Sequence, residues 1–355
     1  MLKINQVEIQ LSLSQWKEIG NNEGKNSKVW LAKDDQLDQA LILKKITKKS
    51  LDKQDVSDYF AEAKILNKSK HPNIMPIHYS GEDDEFIYIT MPYYYNGSLN
   101  SIIEKRMLSV REIIKYSLDF LSGLLFIHIN GLVHVDIKPS NIILNDSDRA
   151  ILTDFGLSGY LNEHGLFSQP IQYRTHRSPE SYNVNEKSIH DDIYQAGLTL
   201  YRMCNGNDSF DKQLENLIKK HNGKNDKIVE DIQKGKFPDR HSYPPHIPKS
   251  LSRVINNMLN VDTDKRYNSV LTIINHLSKI DKMLDWVYNK NENNYEWTLN
   301  TESSILTVSL LRNQNDFITS AEKLTKGSGN IRKQHKFTGT HDSEKDAFKF
   351  LRDKF

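Results

Sequence analysis

The chain has 355 residues, of which 37% are hydrophobic and 26% charged, a composition typical of folded rather than disordered proteins and long enough for more than one domain. Its 48 Lys and Arg against 46 Asp and Glu give a net charge of +2, which excludes a strong overall field for nucleic acid or membrane surfaces. No apolar run approaches the roughly 18 residues of a membrane span, and the N-terminal segment lacks the apolar core of a signal peptide. Because Cys204 is the only cysteine, disulfides within the chain and cysteine-based zinc sites are excluded, and we expect a soluble protein of the cytoplasm.

The N-terminal part of the chain predicts strands. Apolar residues alternate over 7–13, and short apolar runs follow at 29–31 and 41–43, separated by turns rich in Gly and Asn. An amphipathic helix is predicted over 55–68, and a further strand over 85–91.

The middle of the chain changes to helical character. Ser109, followed three residues later by Glu112, is a capping box that predicts the start of a long helix, and Gly131 predicts its end. Two short strand-like runs, at 141–144 and 150–153, then flank a turn.

The predicted elements group into parts along the chain. A strand-rich part joins a helical part through a short connection at 92–97, and the helical pattern of 190–286 is followed by a polar segment, 289–297, that predicts a linker. Beyond the linker, residues 295–355 carry their own apolar set, with a strand and a closing helix capped by Ser343. We therefore expect a small appended domain of α/β composition.

Side chains that can act in catalysis or bind a metal are concentrated in two short segments, 134–141 and 154–156. Asn141 and Asp154 offer hard oxygen ligands, which suit Mg²⁺ bound through few protein groups and phosphate oxygens. The alternative is ordinary turn chemistry, in which Asp, Asn and Gly are common. The cluster contains an acid, an ammonium and two metal-capable oxygens within nineteen residues: Asp136, Lys138, Asn141 and Asp154.

Upstream residues make turn chemistry the weaker interpretation. Lys44 ends an apolar strand, where a buried ammonium needs a partner, and Glu62 on the predicted helix is positioned to supply it. The loop at 20–29 contains Gly24 among small and polar residues, so its backbone N–H groups can approach a phosphate.

This ordered set resembles the eukaryotic-like Ser/Thr protein kinases over residues 14–285. The resemblance implies an α+β, two-lobed protein-kinase-like fold, with a β-rich N-terminal lobe (14–91), a hinge (92–97) and a helical C-terminal lobe (98–285). The appended domain, 295–355, lies outside the resemblance and its role stays open. ATP and Mg²⁺ are the implied cofactors, and serine or threonine of protein substrates is the implied acceptor.

The resemblance also implies roles for individual residues. Asp136 matches the residue that accepts the proton of the substrate hydroxyl, and Lys138 matches the Ser/Thr-type lysine near the γ-phosphate. Asn141 and Asp154 match the two Mg²⁺ ligands. Each role is carried over by position in the matching motif.

Most of the residues that match the family's nucleotide-binding positions lie further upstream in the sequence. Lys44 matches the strand lysine that holds the α- and β-phosphates, with Glu62 as its helix partner. Met91 takes the gatekeeper position, and Pro92 and Tyr94 lie in the hinge that offers backbone groups to adenine. The complete implied nucleotide set is Asn22, Gly24, Val29, Ile42, Lys44, Met91, Pro92, Tyr94 and Ile143.

The glycine-rich loop departs from the family pattern. Counting back from Val29, the three glycine positions fall on Asn22, Gly24 and Ser27; alternatively, Gly20 takes the first position through a two-residue insertion. Asn and Ser tolerate turn conformations but restrict close approach, so a weaker nucleotide clamp is the expected consequence. Every charged catalytic group is kept.

Two further departures concern regulation and substrate docking. Val135 replaces the arginine that, in the family, binds a phosphorylated activation loop, so we expect activity to depend little on phosphorylation of 157–177. Tyr173 stands where Ser/Thr kinases carry a threonine that touches the catalytic residues, although an alternative alignment brings Thr175 nearby.

Other positions match structural elements of the family. Ser178-Pro179-Glu180 resembles the Ala-Pro-Glu element, whose Glu pairs with an arginine that matches Arg266, and Asp192 resembles the helix residue that braces the catalytic loop. Two rival functions stay open: a pseudokinase that signals by conformation, favoured by the degraded glycine loop, and a small-molecule kinase on a related fold. The intact catalytic set argues against the first, and the segment 154–180 argues against the second.

The C-terminal domain contains a basic segment, 323–336, with five cations and no acidic residue. The order of lysine and glycine residues around Gly327 and Gly329 does not match that of a phosphate-binding P-loop, in which the lysine follows the glycines. A solvated basic loop and a surface for a partner or polyanion are the two interpretations. The sequence leaves the oligomeric state open.

Overall fold

A computed structural model of the chain describes residues 12–19, 27–48, 64, 67, 70–169, 173–291, 294–314 and 316–355. The chain divides into two compact units, the first ending at residue 96 and the second covering 97–355. Among the described residues, no helix combines the length and the apolar character needed to cross a membrane.

The first unit is built on one antiparallel sheet. Its strand order is β1-β2-β3-β5-β4, and the predicted strands at 29–31, 41–43 and 85–91 are confirmed. The predicted helix over 55–68 lies outside the described residues except for two helical positions, Lys64 and Asn67. The strands are β1 (Leu13–Ile19), β2 (Ser27–Asp34), β3 (Gln39–Thr47), β4 (Ser80–Glu82) and β5 (Phe86–Pro92).

The second unit is mainly helical up to residue 277, as predicted. Its helices are α1 (Leu99–Lys105), α2 (Val110–Ile129), α3 (Ile189–Asn205), α4 (Asn207–Lys220), α5 (Asn225–Gln233), α6 (Lys249–Met258), α7 (Val270–Leu277) and α8 (Glu344–Lys354). Between α2 and α3 lie short strands, which are β6 (Leu132–Val133), β7 (Ile142–Leu144), β8 (Ala150–Leu152), β9 (Gly159–Tyr160), β10 (Phe167–Ser168) and β11 (Glu186–Lys187).

Local sequence signals set the ends of α2. The Ser109 hydroxyl accepts from the backbone N–H of Glu112, and the Glu112 carboxylate accepts from the Ser109 N–H, so the predicted capping box is present. Gly131 follows the helix with φ +73°, a left-handed conformation that favours glycine. The next two elements, β7 and β8, form the predicted pair of short strands.

Helix α3 forms the centre of the second unit, because most of its side chains are buried. Gly197 allows α6 to approach closely, since a Cβ atom there would lie 2.9 Å from the Cβ of Met258. The helix therefore presents fixed side chains to the segments that pack around it, including residues 134–137.

The C-terminal part is an antiparallel sheet packed on α8. The strand order is β12-β13-β14-β15-β16, and β17 pairs with β15. The closing helix is confirmed, with Ser343 as its N-cap and Ala347 and Leu351 buried. The strands are β12 (Trp286–Lys290), β13 (Asn294–Asn300), β14 (Ser304–Arg312), β15 (Phe317–Thr325), β16 (Ile331–Lys333) and β17 (Gly339–His341).

The prediction of a linker over 289–297 is wrong. Strands β12 and β13 pair with each other across this segment, and their buried aromatic residues alternate with more exposed residues. Tyr288 and Trp297 are opposed in register and stack with ring centroids 5.2 Å apart. The polar positions that suggested a linker are the outward half of a two-residue alternation.

The C-terminal sheet is fastened to the helical part of the same unit. The indole Nε1 of Trp297 donates to Nδ1 of His246 at 3.0 Å, and Nη2 of Arg352 donates to the carbonyl oxygen of Tyr243 at 2.7 Å. Both His246 and Trp297 are buried. Loss of either contact would leave buried polar atoms without partners.

His246 is expected to make this docking sensitive to acid. Burial lowers the pKa of His246 to about 3, whereas an exposed histidine titrates near 6.5. Folding therefore favours the neutral form of His246. Its contribution to the free energy of unfolding is complete above about pH 6.5 and is lost as the pH falls toward 3.

We expect His246→Gln, which keeps an acceptor for Trp297, to flatten the pH dependence of the unfolding free energy. The slope should decrease by up to about 1.4 kcal/mol per pH unit between pH 6 and 4. Urea unfolding at a series of pH values measures it, with the exposed His241→Gln as the control. Parallel curves for wild type and His246→Gln would contradict this assignment.

Candidate active site

Two predicted catalytic residues, Asp136 and Lys138, and the predicted metal ligand Asn141 are brought together in the loop between β6 and β7. The Oδ2 atom of Asp136 accepts from Lys138 Nζ and from Asn141 Nδ2, each at 2.9 Å. Asn141 Nδ2 also donates to the Asp136 carbonyl oxygen at 2.9 Å. Because the carboxylate is only 4% exposed, its orientation is fixed by these donors.

The second carboxylate oxygen of Asp136 has a different environment. Among the described residues, no group donates a hydrogen bond to Oδ1, although this atom is buried. A buried acceptor without a donor is costly, by about 1–3 kcal/mol in mutational data. A ligand hydroxyl that donates to Oδ1 would remove this cost.

Several charges act on Asp136. Burial raises the pKa of its carboxyl above the usual value; the Lys138 ammonium opposes the rise, and the negative charge of Asp154 adds to it. The raised pKa makes Asp136 a better proton acceptor than an exposed aspartate.

Two side chains of α3 hold the backbone of this loop. The carboxylate of Asp192, fully buried, accepts from the N–H groups of His134 and Val135 at 2.9 and 2.7 Å. Gln195 accepts from the N–H of Ile137 at 2.8 Å and donates to the carbonyl oxygen of Val135 at 2.9 Å. Sequence reasoning assigned the brace to Asp192 and missed Gln195, which lies almost one turn further along the same helix.

The brace is needed because the loop is strained. Val135 has φ +56°, a left-handed conformation that is unfavourable for a β-branched residue. Such a conformation persists only where the surrounding structure imposes it, and both polar backbone groups of Val135 are bound by α3. Strain and brace together fix the position of the next residue, Asp136.

His134 links the loop to the segment that carries Asp154. Its Nδ1 accepts from the N–H of Asp136 at 3.3 Å, and its Nε2 donates to the carbonyl oxygen of Thr153 at 3.0 Å. The ring lies 4.7 Å from that of Phe155 and is fully buried. With both ring nitrogens bound to the backbone, His134 has a structural position.

The predicted metal ligands, Asn141 and Asp154, fit a divalent cation. The amide nitrogen of Asn141 is oriented toward Asp136, so its Oδ1, which also accepts from the Ser140 hydroxyl at 3.3 Å, is the oxygen that would bind a metal. Asp154 lies two residues after the end of β8 at φ +63°, and its charge acts on the nearby carboxylate of Asp136. A cation with oxygen ligands, such as Mg²⁺, would offset this concentration of negative charge.

Predicted nucleotide residues of the first unit share one face of its sheet. In the strand register, Val29 is opposite Lys44, and Ile42 is opposite Met91. Residues directly opposed, and those two positions further along, point to the same side of a sheet. Lys44 is 8% exposed, so the prediction of a buried lysine near the end of this strand is confirmed.

The remaining predicted nucleotide residues lie at or after the end of β5, within β7, or outside the described residues. Pro92 ends β5 and Tyr94 follows it; both are half-buried. In the second unit, Ile143 is half-buried between two fully buried neighbours on β7, so its side chain faces away from theirs. The predicted residues Asn22, Gly24 and Glu62 lie outside the residues that the structure describes.

The predicted pair of Glu180 and Arg266 is present. Arg266 Nη1 and Nη2 donate to the two carboxylate oxygens of Glu180 at 2.7 and 3.1 Å. Arg266 also donates to the carbonyl oxygens of His190 at 2.7 Å and Asn260 at 2.9 Å. The guanidinium, fully buried, thereby ties the end of the 154–180 segment to two other parts of the second unit.

Tyr173 and His176 lie beside the catalytic loop. The Lys138 ammonium lies 4.4 Å from the centroid of the Tyr173 ring, a cation–π contact. His176, fully buried, donates from Nδ1 to the carbonyl oxygen of Ile137 at 3.0 Å. The contact of Tyr173 with Lys138 favours the alignment that places Tyr173, rather than Thr175, at the position of the family threonine.

Comparison with known proteins agrees with this arrangement. The family model of the protein kinase domain matches residues 13–277. A probable serine/threonine-protein kinase of Clostridium acetobutylicum is 28% identical over 232 residues, which are 64% of this chain and 34% of that protein. PknB, a probable serine/threonine-protein kinase of Lactococcus lactis, is 26% identical over 259 residues, 72% of this chain and 39% of the relative.

A eukaryotic relative is similar to the same degree. A serine/threonine-protein kinase of Mus musculus is 29% identical over 237 residues, or 65% of this chain and 28% of the mouse protein. The chain thus spans less than two fifths of the length of these three relatives. Since the family model covers well over half of this chain, the chain belongs to the protein kinase domain family.

Proposed function

We propose that this chain transfers the γ-phosphoryl group of ATP to serine or threonine hydroxyls of protein substrates, itself included. The observation that carries the proposal is the buried Oδ1 of Asp136, to which no described residue donates, while Oδ2 is held by Lys138 and Asn141. This oxygen is suited to accept the hydrogen of a substrate hydroxyl. The names of the similar proteins support the same reaction class.

In the proposed reaction, the chain orients the attacking hydroxyl and receives its proton. The hydroxyl oxygen attacks the γ-phosphorus, the bond to the β–γ bridging oxygen breaks, ADP leaves, and the proton passes to Asp136 Oδ1. Lys138 stays beside the same carboxylate, where its charge stabilises the transferring phosphoryl group. Most of the rate gain in such reactions comes from positioning and charge stabilisation.

Mg²⁺ and the nucleotide are assigned to the residues that fit them. Asn141 and Asp154 would hold Mg²⁺, which supplies charge neutralisation for the phosphates. Lys44 would bind the α- and β-phosphates, with Glu62 as its partner, and backbone groups at Pro92 and Tyr94 would receive adenine. The same proposal includes Asn22, Gly24, Val29, Ile42, Met91 and Ile143 as nucleotide contacts.

Described residues of the segment after Asp154 are held by backbone pairing and by a side-chain hydrogen bond. Strand β10 pairs with β11, and Gln169 donates its N–H to the carbonyl oxygen of Asn185 at 3.0 Å. The Ser158 hydroxyl donates to the carbonyl oxygen of His134 at 3.1 Å. Val135, at the position of the family's phosphate-binding arginine, is buried and carries no charge. These contacts support activity that does not wait for phosphorylation of the segment.

We therefore expect phosphatase-treated enzyme to keep its activity within a few-fold of untreated enzyme, because no cation at position 135 awaits a phosphate. Initial rates before and after treatment, with intact mass spectrometry of each sample, measure this. Ser168→Ala removes one exposed hydroxyl of the segment that could be phosphorylated, and we expect this variant also to keep its activity within a few-fold. A gain of more than tenfold on phosphorylation within 157–177 would contradict the expectation.

Transfer to a protein acceptor tests the proposed function. Purified chain is incubated with labelled ATP and casein, with Mg²⁺ or with EDTA, beside free serine as a small-molecule acceptor. Mg²⁺-dependent label on casein supports the proposal. Label on free serine alone would favour a small-molecule kinase, and MgATP binding without transfer to any acceptor would favour a pseudokinase.

A further inference from the structure

Arg202 lies near the end of α3, and every described group that accepts a hydrogen bond from it is neutral. Its Nε and Nη2 donate to Asn207 Oδ1 at 3.0 and 2.8 Å, and Nη2 also donates to Asn100 Oδ1 at 2.9 Å. Its Nη1 donates to Nε2 of His176 at 3.0 Å. Within the described parts of the chain, no carboxylate forms an ion pair with this guanidinium.

The surroundings of Arg202 make the missing counter-charge costly. Burial lowers the pKa of the guanidinium below its usual value, and the more distant charges of Asp211 and Glu104 oppose this only in part. Glu104 accepts from Asn100 Nδ2 at 2.6 Å, so that amide lies between its carboxylate and Arg202. Burial and the charge of Arg202 also lower the pKa of His176 well below its usual value, so this partner stays neutral.

Arg202 is nevertheless fixed in orientation. Two amide oxygens and one imidazole nitrogen together engage all three of its nitrogens. A guanidinium held in this way loses little further side-chain freedom when it binds an anion. These four hydrogen bonds leave one N–H of Nη1, which can donate a charge-assisted hydrogen bond to an oxygen of a carboxylate or a phosphate.

Arg202 lies close to the catalytic loop, where the substrate hydroxyl is proposed to bind. One imidazole ring and two hydrogen bonds separate it from the catalytic loop, because His176 bonds Arg202 through Nε2 and the carbonyl oxygen of Ile137 through Nδ1. Ile137 lies between Asp136 and Lys138 in sequence. Tyr173 is 48% exposed and packs near His176 and against Lys138. It therefore lies beside the same part of the catalytic loop.

We propose that Arg202 selects protein substrates that carry an acidic side chain, a carboxylate or a phosphate, close to the residue that is phosphorylated. The proposal rests on the kinase function proposed above and names its substrate class. An extended peptide advances about 3.3 Å per residue, so an acidic residue within roughly three positions of the acceptor spans the separation set by His176. Lys138 is already paired with Asp136, whereas no ion pair is formed by Arg202 within the described residues, so the proposal assigns the selectivity to Arg202.

Matched peptides test the selectivity. Each contains one serine acceptor, with glutamate, phosphoserine, alanine or lysine placed at single positions up to three residues away. We expect the wild type to prefer acidic over lysine peptides by about tenfold in kcat/KM, equivalent to about 1.4 kcal/mol, and Arg202→Glu to reverse the order. The glutamate and phosphoserine series distinguish the two sources of negative charge.

Arg253→Glu is the control, because it makes the same change of charge at an exposed arginine of α6. It should leave the ratio of acidic to basic peptides unchanged. Since every comparison is a ratio within one enzyme variant, a general loss of activity does not produce a reversal. Equal use of acidic, neutral and basic peptides by the wild type would overturn the proposal.

Binding without ATP separates this proposal from the kinase function. Fluorescence anisotropy of the labelled glutamate and lysine peptides is measured with wild type, Arg202→Glu and Arg202→Gln, of which the last keeps hydrogen-bond donors. Tighter binding of the glutamate peptide that is lost in both variants supports an acidic subsite, even if no peptide is phosphorylated and the kinase function fails. Equal binding of the two peptides to the wild type would overturn it.

Discussion

Asp136→Asn is expected to reduce phosphoryl transfer by about 10²- to 10⁴-fold, the range typical of a general base. Asparagine keeps an oxygen that can accept from Lys138 and Asn141, but it cannot take up a proton at the position of the unpartnered Oδ1. Burial raises the pKa of the native carboxyl, which shows that the charged form is disfavoured there. Loss of that charge should therefore leave the melting temperature unchanged or raise it.

Initial rates with saturating MgATP, together with thermal melting, measure both effects. Asp146→Asn is the matched control, because Asp146 is an exposed aspartate in the turn between β7 and β8. We expect the control to keep its full rate. An Asp136→Asn enzyme that transfers phosphate at the wild-type rate would remove Asp136 from the proposed mechanism.

Arg266→Met is expected to reduce the free energy of unfolding by about 3–5 kcal/mol. The Arg266 guanidinium is fully buried and binds Glu180 through two parallel hydrogen bonds, so its removal leaves a half-buried carboxylate without its cation. The carbonyl oxygens of His190 and Asn260 lose donors as well. Unpaired charge and unpaired polar groups act in the same direction.

Urea unfolding followed by far-UV circular dichroism measures this loss. Lys227→Met is the control, because Lys227 forms an exposed ion pair with Glu230 at 2.8 Å. Exposed pairs of this kind contribute little, so we expect no measurable change in its unfolding midpoint. Equal midpoints for wild type and Arg266→Met would show that the Glu180–Arg266 pair is not a stabilising contact.

Local patterns were sufficient for several elements of the fold. The capping box of Ser109 and Glu112 predicted where α2 begins, and the helix cap at Ser343 predicted α8. Each signal depends on residues within one helical turn, so it is visible in the sequence alone. The Asp136 cluster was also predictable, because its members lie within one short segment.

Contacts between distant segments could not be predicted in the same way. Gln195 binds the catalytic loop from 58 and 60 residues away in sequence, and the Trp297–His246 hydrogen bond spans 51 residues. No local periodicity carries this information. The hairpin of β12 and β13 was missed for a different reason, since its outward positions are polar and resemble a linker when the inward aromatic residues are not counted separately.

Autophosphorylation tests the central claim most directly. Purified chain is incubated with γ-labelled ATP and Mg²⁺, beside Asp136→Asn, and the labelled residues are identified by phosphoamino-acid analysis and mass spectrometry. We predict acid-stable label on serine or threonine of the wild type that is absent from Asp136→Asn and from samples containing EDTA. A folded chain that binds MgATP but labels neither itself nor any protein acceptor would contradict the proposed kinase activity.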